Sequence, residues 1–140
     1  VSVLINTGPG YPSPDIKANG SDGPVEIPRC DTLFVTIELD PGDYPGYQAD
    51  WWCVADTPSG WYYYDHSTDD NRTKCTNKWL PGFKVSYQGP LFELTPLFEV
   101  LKRSCLPIRS YTFYFGVDGK MNGKLDYPLY YDSVEVTITP

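Results

Sequence analysis

A stretch of oxygen-bearing side chains from residue 118 to residue 126 is the part of this sequence that most resembles a chemical site. The stretch runs Asp-Gly-Lys-Met-Asn-Gly-Lys-Leu-Asp. Asp118, Asn122 and Gly123 occupy the first, fifth and sixth positions of the calcium-loop pattern. A hard Ca²⁺ ion needs several oxygen ligands on a loop that curls around it, and the glycine permits the sharp turn.

The match to the calcium loop is incomplete in two places. Lys120 stands where the pattern has a third ligand, and Leu129 stands where it has a bidentate glutamate. Carboxylates farther along the chain can compensate, and a bound Ca²⁺ would then rigidify the loop. The ligand set that we expect is Asp118, Asn122, Asp126 and Asp132. The alternative is a metal-free loop built on an Asn-Gly turn.

Aromatic side chains crowd the middle of the chain and form a second candidate site. They suit three roles: filling the core, contacting a protein partner, or stacking on sugar rings. A run of three tyrosines in a strand must place at least one ring outward, because neighbouring side chains alternate between faces. The residues that we expect to contact a ligand or partner are Trp61, Tyr62, Tyr63, Tyr64 and Trp79.

Groups that could perform catalysis are few. His66 is the single histidine, and it lies in a charged segment without a serine or cysteine in a nucleophile context. No glycine-rich phosphate loop leads from a strand into a helix. We predict no catalytic residues and no enzymatic activity. A small hydrolase that uses a pair of carboxylates is the least favoured alternative.

The charge and the cysteines limit the partners and the compartment. A net charge of −7 argues against nucleic acid, and the chain lacks the apolar run of about 20 residues that a membrane span needs. The four cysteines at 30, 53, 75 and 105 are too far apart for a metal-binding pair motif. Their even number predicts two disulfides in an oxidising, extracellular or cell-surface location, with three connectivities open. The alternative is four free buried thiols in a cytosolic protein.

The elements that must position these groups are short strands. Residues 32–39, 111–117 and 133–139 alternate apolar and polar side chains with a period of two. Shorter strands are predicted at 25–27, 49–55 and 61–64, with weaker candidates at 83–87 and 91–94. The stretches 49–55 and 61–64 form a hairpin, with one of the adjacent Trp51 and Trp52 in the core. So do 111–117 and 133–139, and this pattern predicts an all-β sandwich or barrel.

The N-terminal quarter and one later segment carry different predictions. Residues 1–6 look like a strand, and the Gly/Pro-rich residues 7–24 look like a loose linker. Leu97, Val100 and Leu101 have helical spacing, which predicts a short helical turn near 96–102. The 140 residues fit one domain. Because the chain starts directly on the first strand, we expect a processed chain or an excised domain.

In order along the chain, these strands resemble an immunoglobulin-like antiparallel β-sandwich of about 7–9 strands. Residues 32–39 resemble strand B, 49–55 strand C with its core tryptophan, and 111–117 strand F. The segment 106–111, Leu-Pro-Ile-Arg-Ser-Tyr, resembles the tyrosine corner that precedes strand F. The sequence of residues 20–139 also resembles Ig-like modules of secreted and surface proteins of Gram-negative bacteria.

The resemblance implies a disulfide pairing and a class of function. It implies a bond between Cys30 and Cys105, although both precede their strands instead of lying within them, and leaves Cys53 to bond Cys75. It favours a structural or assembly module, either a surface-protein domain or a filament subunit, that acts through protein–protein contacts. The N-terminal strand could mediate self-association by strand addition. The alternative is a carbohydrate-binding or adhesion module that holds a glycan on exposed Trp and Tyr rings.

Overall fold

The computed structural model of the protein describes residues 4–5, 10–66 and 78–140. Cys75 and most of the charged segment that contains His66 lie outside these residues. Among the described residues the chain is all-β, as the sequence predicts, with eleven strands in two sheets. The strands are β1 (Leu4–Ile5), β2 (Ser13–Ala18), β3 (Val25–Pro28), β4 (Leu33–Asp40), β5 (Gln48–Thr57), β6 (Gly60–Tyr64), β7 (Trp79–Pro81), β8 (Tyr87–Pro90), β9 (Leu94–Arg103), β10 (Ser110–Asp118) and β11 (Leu129–Thr139).

The larger sheet has eight strands and is mixed. Its main path is β1-β11-β10-β5-β6-β7, with β3 also paired to β11 and β8 to β5. β10 runs antiparallel to both β5 and β11, whereas β1 and β3 run parallel to β11. The predicted hairpins therefore form, between β5 and β6 and between β10 and β11.

The smaller sheet has three strands in the order β2-β4-β9 and is antiparallel. Alternate residues of β4 and β10 belong to one core cluster, because a period of two places every second side chain on the same face. Leu33, Val35 and Leu39 of β4 and Phe115 and Val117 of β10 are at most 2% exposed. Two sheets that share one apolar core make the fold a β-sandwich.

The tyrosine corner predicted before the strand at 111–117 is present. Tyr111 begins the buried face of β10, and its hydroxyl donates a hydrogen bond of 2.8 Å to the carbonyl oxygen of Pro107, four residues upstream. This bond fixes the bend at which the chain enters the central strand.

The helical turn predicted near 96–102 is wrong. The segment lies within β9, which pairs with β4. The pairing shifts register between Val35 and Thr36 and again between Ile37 and Leu39. Such β-bulges insert extra residues on one strand, so the apolar side chains depart from a period of two and imitate helical spacing.

The loose linker predicted over 7–24 is wrong for residues 13–18. They form β2, in which Ile16 and Ala18 are fully buried against the core. Pro14 obscures the alternation in the sequence, yet a proline is tolerated because β2 has a paired strand on only one side.

One smaller prediction also needs correction. The weak strand candidates at 83–87 and 91–94 flank the actual strand β8. Trp51 and Trp52 point to opposite faces, and only Trp51 belongs to the core cluster, as the sequence predicts. Trp52 is nevertheless 4% exposed. The outer face of the larger sheet therefore buries a large side chain of its own.

Candidate functional site

The loop between β10 and β11 brings together only part of the predicted calcium set. Asp118 ends β10, and its Oδ2 accepts a hydrogen bond of 3.4 Å from the backbone N–H of Asp126. The side-chain oxygen of Asn122 accepts the N–H of Lys124 at 2.9 Å and so closes a local turn. Of the four predicted ligands, Asp118 and Asp126 thus lie side by side. The side chain of Asn122 instead accepts a hydrogen bond from the loop backbone.

Asp132 does not join the predicted calcium set. It pairs with the inward-facing Phe115 across the β10–β11 ladder, whereas Asp118 pairs with Leu129. The two carboxylates lie an odd number of residues apart in register, so they occupy opposite faces of the sheet. The structure therefore does not bring Asp132 together with Asp118, and the calcium site stays a prediction.

Asp50 holds the loop in place, and the sequence analysis missed it. It lies directly across from Asp118 on β5 and is fully buried. Its Oδ2 accepts the backbone N–H groups of Asn122 at 3.2 Å and Gly123 at 2.7 Å, and its Oδ1 accepts the Gln88 amide at 2.9 Å. The available indication was a carboxylate next to the apolar run that begins at Trp51, because a buried carboxylate requires hydrogen-bond donors.

Burial governs the electrostatics of this acidic pair. Removal from water raises the pKa of Asp118 above its usual range, and the nearby Asp50 raises it further. Hydrogen bonds from the Lys120 N–H and the Trp52 indole, both at 2.9 Å, lower the pKa in turn. The carboxylate is thus held by donors that the fold itself supplies.

A second acidic group forms where β2 meets β11. The carboxylate oxygens of Asp15, Asp22 and Asp132 lie within 4.8 Å of one another. The ammonium of Lys17 lies 2.6 Å from Asp15 and 3.0 Å from Asp22, and these two hydrogen bonds raise the pKa of Lys17. A protein cation therefore already contacts two of the three carboxylates in this cluster.

The predicted aromatic contact residues divide between the two faces of the larger sheet. Tyr63, Tyr64 and Trp79 are each 8% exposed, and the Trp79 indole donates to the carbonyl of Val100 at 2.8 Å. Tyr62 is half-buried against the core. Trp61, at 39% exposed, is the one member of the predicted set that presents a large surface to solvent.

Trp61 belongs to an aromatic face on the outer side of the larger sheet. The aromatic face consists of Trp52, Trp61, Phe83, Tyr114 and Tyr131. Ring centroids of neighbouring members lie 5.1–6.5 Å apart, the range of favourable aromatic pairs. The rings line a groove of about 340 Å³.

Gly116 keeps the floor of this groove low. A β-carbon at that position would lie 2.8 Å from the carbonyl oxygen of Tyr130 and 2.9 Å from the β-carbon of Tyr131. The close approach of β11 therefore requires a glycine there. The aromatic rings border the groove, and its floor at Gly116 carries no side chain.

The cysteines of the described residues carry free thiols. Cys30 and Cys105 are both exposed, and their segments touch, because the N–H of Cys105 donates to the carbonyl of Arg29 at 2.9 Å. Cys53 is buried in the core, and burial strongly raises the pKa of its thiol. The pairings of Cys30 with Cys105 and of Cys53 with Cys75 remain predictions, and Cys75 lies outside the described residues.

His66 is exposed, and its ring meets the edge of the Tyr87 ring at 5.1 Å. The backbone N–H of His66 donates to the carbonyl of Ser86. The Ser86 hydroxyl accepts the N–H of Cys53 at 2.9 Å and donates to the carbonyl of the same residue at 3.1 Å. This hydroxyl is therefore engaged in joining backbone segments.

Comparison with protein families, with curated proteins and with solved structures finds no match to this chain. In the part of the chain that the structure describes, no helix has the length and apolar character to cross a membrane.

Proposed function

We propose that this chain is a non-catalytic extracellular module that acts through protein–protein contacts, as a surface-protein domain or a filament subunit. The observation that carries the proposal is the aromatic face. The outer face of an antiparallel sheet that meets water is ordinarily polar. Here five aromatic side chains from different strands and one loop form a continuous surface instead.

The exposure of the aromatic face suits a contact surface. Trp61 and Phe83 are 39% and 41% exposed and meet edge to face at a centroid distance of 5.1 Å. Trp52 lies beneath Phe83 at 5.6 Å and supports the ring from below. Rigid, partly exposed Trp and Tyr rings supply contact area at low entropic cost and dominate the binding energy of many interfaces.

A second copy of this chain is the partner that we propose, and the N-terminal strand supports that choice. Among the described residues, β1 pairs with β11 in parallel, with Leu4 opposite Leu129 and Ile5 opposite Tyr130. The edge of β11 that carries this strand can equally accept the corresponding strand of a neighbour. Strand addition would then join subunits whose aromatic faces meet.

The test is the mass of the particle in solution. Sedimentation velocity over a concentration series should show self-association that weakens about 30-fold in Trp61→Ala, as expected for the loss of a buried aromatic anchor. Leu97→Ala is the matched control, because Leu97 is an exposed apolar residue, 54% exposed, on the smaller sheet. Removal of residues 1–6 should also weaken association.

Two outcomes would decide against self-association. A monomer at every concentration up to about 0.5 mM would overturn it, since a functional contact weaker than this has little binding energy. A monomer that binds oligosaccharides, and loses them in Trp61→Ala, would establish the carbohydrate-binding alternative at the same surface.

A further inference from the structure

A second aromatic site lies at the end of the sandwich and leads beyond the proposed function. It adjoins the groove of the aromatic face, since Tyr127 lines both cavities. A cavity of about 310 Å³ opens beside the β10–β11 loop. This volume is near the lower end of the range for small-molecule sites. Its walls include four tyrosines and two carboxylates, Tyr44, Tyr47, Tyr127, Tyr130, Asp118 and Asp126, and we call it the tyrosine cavity.

The tyrosine rings face the cavity from different directions. Tyr44 and Tyr47 meet at 90° with centroids 5.2 Å apart and form a corner. Tyr11 stacks on Tyr44 at 6.5 Å and on Tyr130 at 5.5 Å, which holds those two rings in place. Tyr47 and Tyr127 are 61% and 44% exposed, so part of the wall is open to a ligand.

The loop that carries Tyr44 and Tyr47 is fixed by backbone hydrogen bonds. The N–H of Gly46 donates to the carbonyl of Leu91 at 2.7 Å, and the N–H of Leu91 donates to the carbonyl of Tyr47 at 2.8 Å. The N–H of Tyr47 also donates to the carbonyl of Tyr44 at 3.2 Å. The corner of rings is therefore formed before a ligand arrives, which reduces the entropic cost of binding.

The carboxylates of the cavity have no ion-pair partner among the described residues. Lys120 also lines the cavity, but no Lys, Arg or His side chain of those residues forms an ion pair with Asp118 or Asp126. Oδ2 of Asp126 is buried and has no hydrogen-bond partner among those residues. Such an oxygen is costly unless a donor or a cation reaches it. Asp118 is itself buried and lies across the β5–β10 ladder from the fully buried Asp50.

These features together select the ligand chemistry. A cation over the face of an aromatic ring is attracted to the ring quadrupole, and a nearby carboxylate adds an ion pair. Ca²⁺ requires six or more oxygen ligands, which walls of tyrosine faces do not supply. A neutral sugar would stack on the rings but leave the charge unmatched. We propose that the tyrosine cavity binds an alkylammonium group, with ring faces of Tyr44 and Tyr47 around it and Asp126 as its counter-ion.

Calorimetric titration of the whole chain with choline tests this site directly. Choline should bind, whereas 3,3-dimethyl-1-butanol, a neutral molecule of the same shape, should bind at least about 10-fold more weakly, because it lacks the cation. An N-acetyl-trimethyllysine amide should be compared with choline. Tighter binding of the lysine derivative would identify a partner's side chain as the source of the ammonium, and tighter binding of choline a free small molecule.

Three variants distinguish the parts of the site. Tyr47→Ala and Asp126→Asn should each weaken choline binding by about 10-fold, while Tyr47→Phe should bind as the wild type does, because the ring face remains. Tyr47 is 61% exposed, so its loss should leave the fold intact, which a thermal melt will verify. Trp61→Ala should leave choline binding unchanged, so failure of the proposed contact surface and failure of this site are distinguishable.

The proposal is overturned if choline shows no saturable binding, or if the neutral analogue binds equally well. Equal affinity in wild type and Asp126→Asn would also overturn it, since the ion pair would then contribute nothing. Binding that persists in Tyr47→Ala but is lost in Trp61→Ala would move the site to the aromatic face.

Discussion

The tyrosine corner offers a direct test of how the bend before β10 contributes to stability. Tyr111→Phe removes one hydroxyl and nothing else from a ring that is 6% exposed. The hydroxyl donates a bond of 2.8 Å to the carbonyl of Pro107, and this hydrogen bond is partly buried. Pro107 itself is exposed, so its freed carbonyl can bind solvent.

The size of the stability change depends on whether the carbonyl of Pro107 regains a partner after the hydroxyl is removed. A typical intramolecular hydrogen bond contributes about 0.5–1.5 kcal/mol net, and leaving an acceptor buried and unpaired costs more. Because the acceptor here regains water, we expect the free energy of unfolding to fall by about 1 kcal/mol. In a domain of this size that loss lowers the melting temperature by about 3 °C.

Urea denaturation followed by tryptophan fluorescence measures the change. The midpoint should fall while the dependence on urea stays constant, because the surface exposed on unfolding is the same. Tyr114→Phe is the matched control on the same strand, since its hydroxyl makes no hydrogen bond with the described residues. The stabilising role of the Tyr111 hydroxyl would be refuted if Tyr114→Phe lost as much free energy of unfolding as Tyr111→Phe. It would also be refuted if Tyr111→Phe were as stable as the wild type.

Three further predictions concern the core, an acidic group and the cysteines. Phe115→Ala should lower the free energy of unfolding by about 3–5 kcal/mol in the same urea assay, because Phe115 is 1% exposed and the cavity left behind is not refilled. A loss below about 1 kcal/mol would contradict its central place in the core. Burial raises the pKa of Asp132 above 3.8 in the folded chain, so its contribution to stability is complete below that pH and is lost as the pH rises through the folded pKa. Asp132→Asn should therefore gain stability relative to the wild type between about pH 4 and pH 7, and a constant difference would contradict this. Oxidised glutathione should accept two electrons from the thiols of Cys30 and Cys105 and leave an intramolecular disulfide, detected by non-reducing peptide mapping; two thiols that stay titratable would contradict the pairing.

Much of the fold was predictable from local patterns. Strands β4, β10 and β11 alternate apolar and polar residues over seven or more positions, and a period of two has no helical interpretation at that length. The tyrosine corner was predictable because a Tyr placed just before an alternating run has a defined backbone acceptor upstream. These features depend on neighbours within a few residues, which is the information that a sequence displays.

The errors arose where pairing partners decide the structure. The bulges opposite β4 gave β9 a false helical spacing, and only the register of two strands separated by about sixty residues reveals them. The linker prediction fails at β2 because Pro14 and Asp15 interrupt its sequence pattern. The strand has three buried positions, Pro14, Ile16 and Ala18, which are explained only by the pairing with β4. Nearby spacing carries no information about such contacts.

The candidate sites show the same division. By itself the sequence determined the all-β class, the core faces of the long strands and the chemical types present near residue 118. The tertiary structure decided which of those groups meet: it separated Asp132 from Asp118, placed Asp50 beside Asp118, and gathered Trp61 into the aromatic face. The physical reason is that the face of a sheet on which a side chain lies is fixed by strand register, and register is a property of two strands that no single stretch of sequence contains.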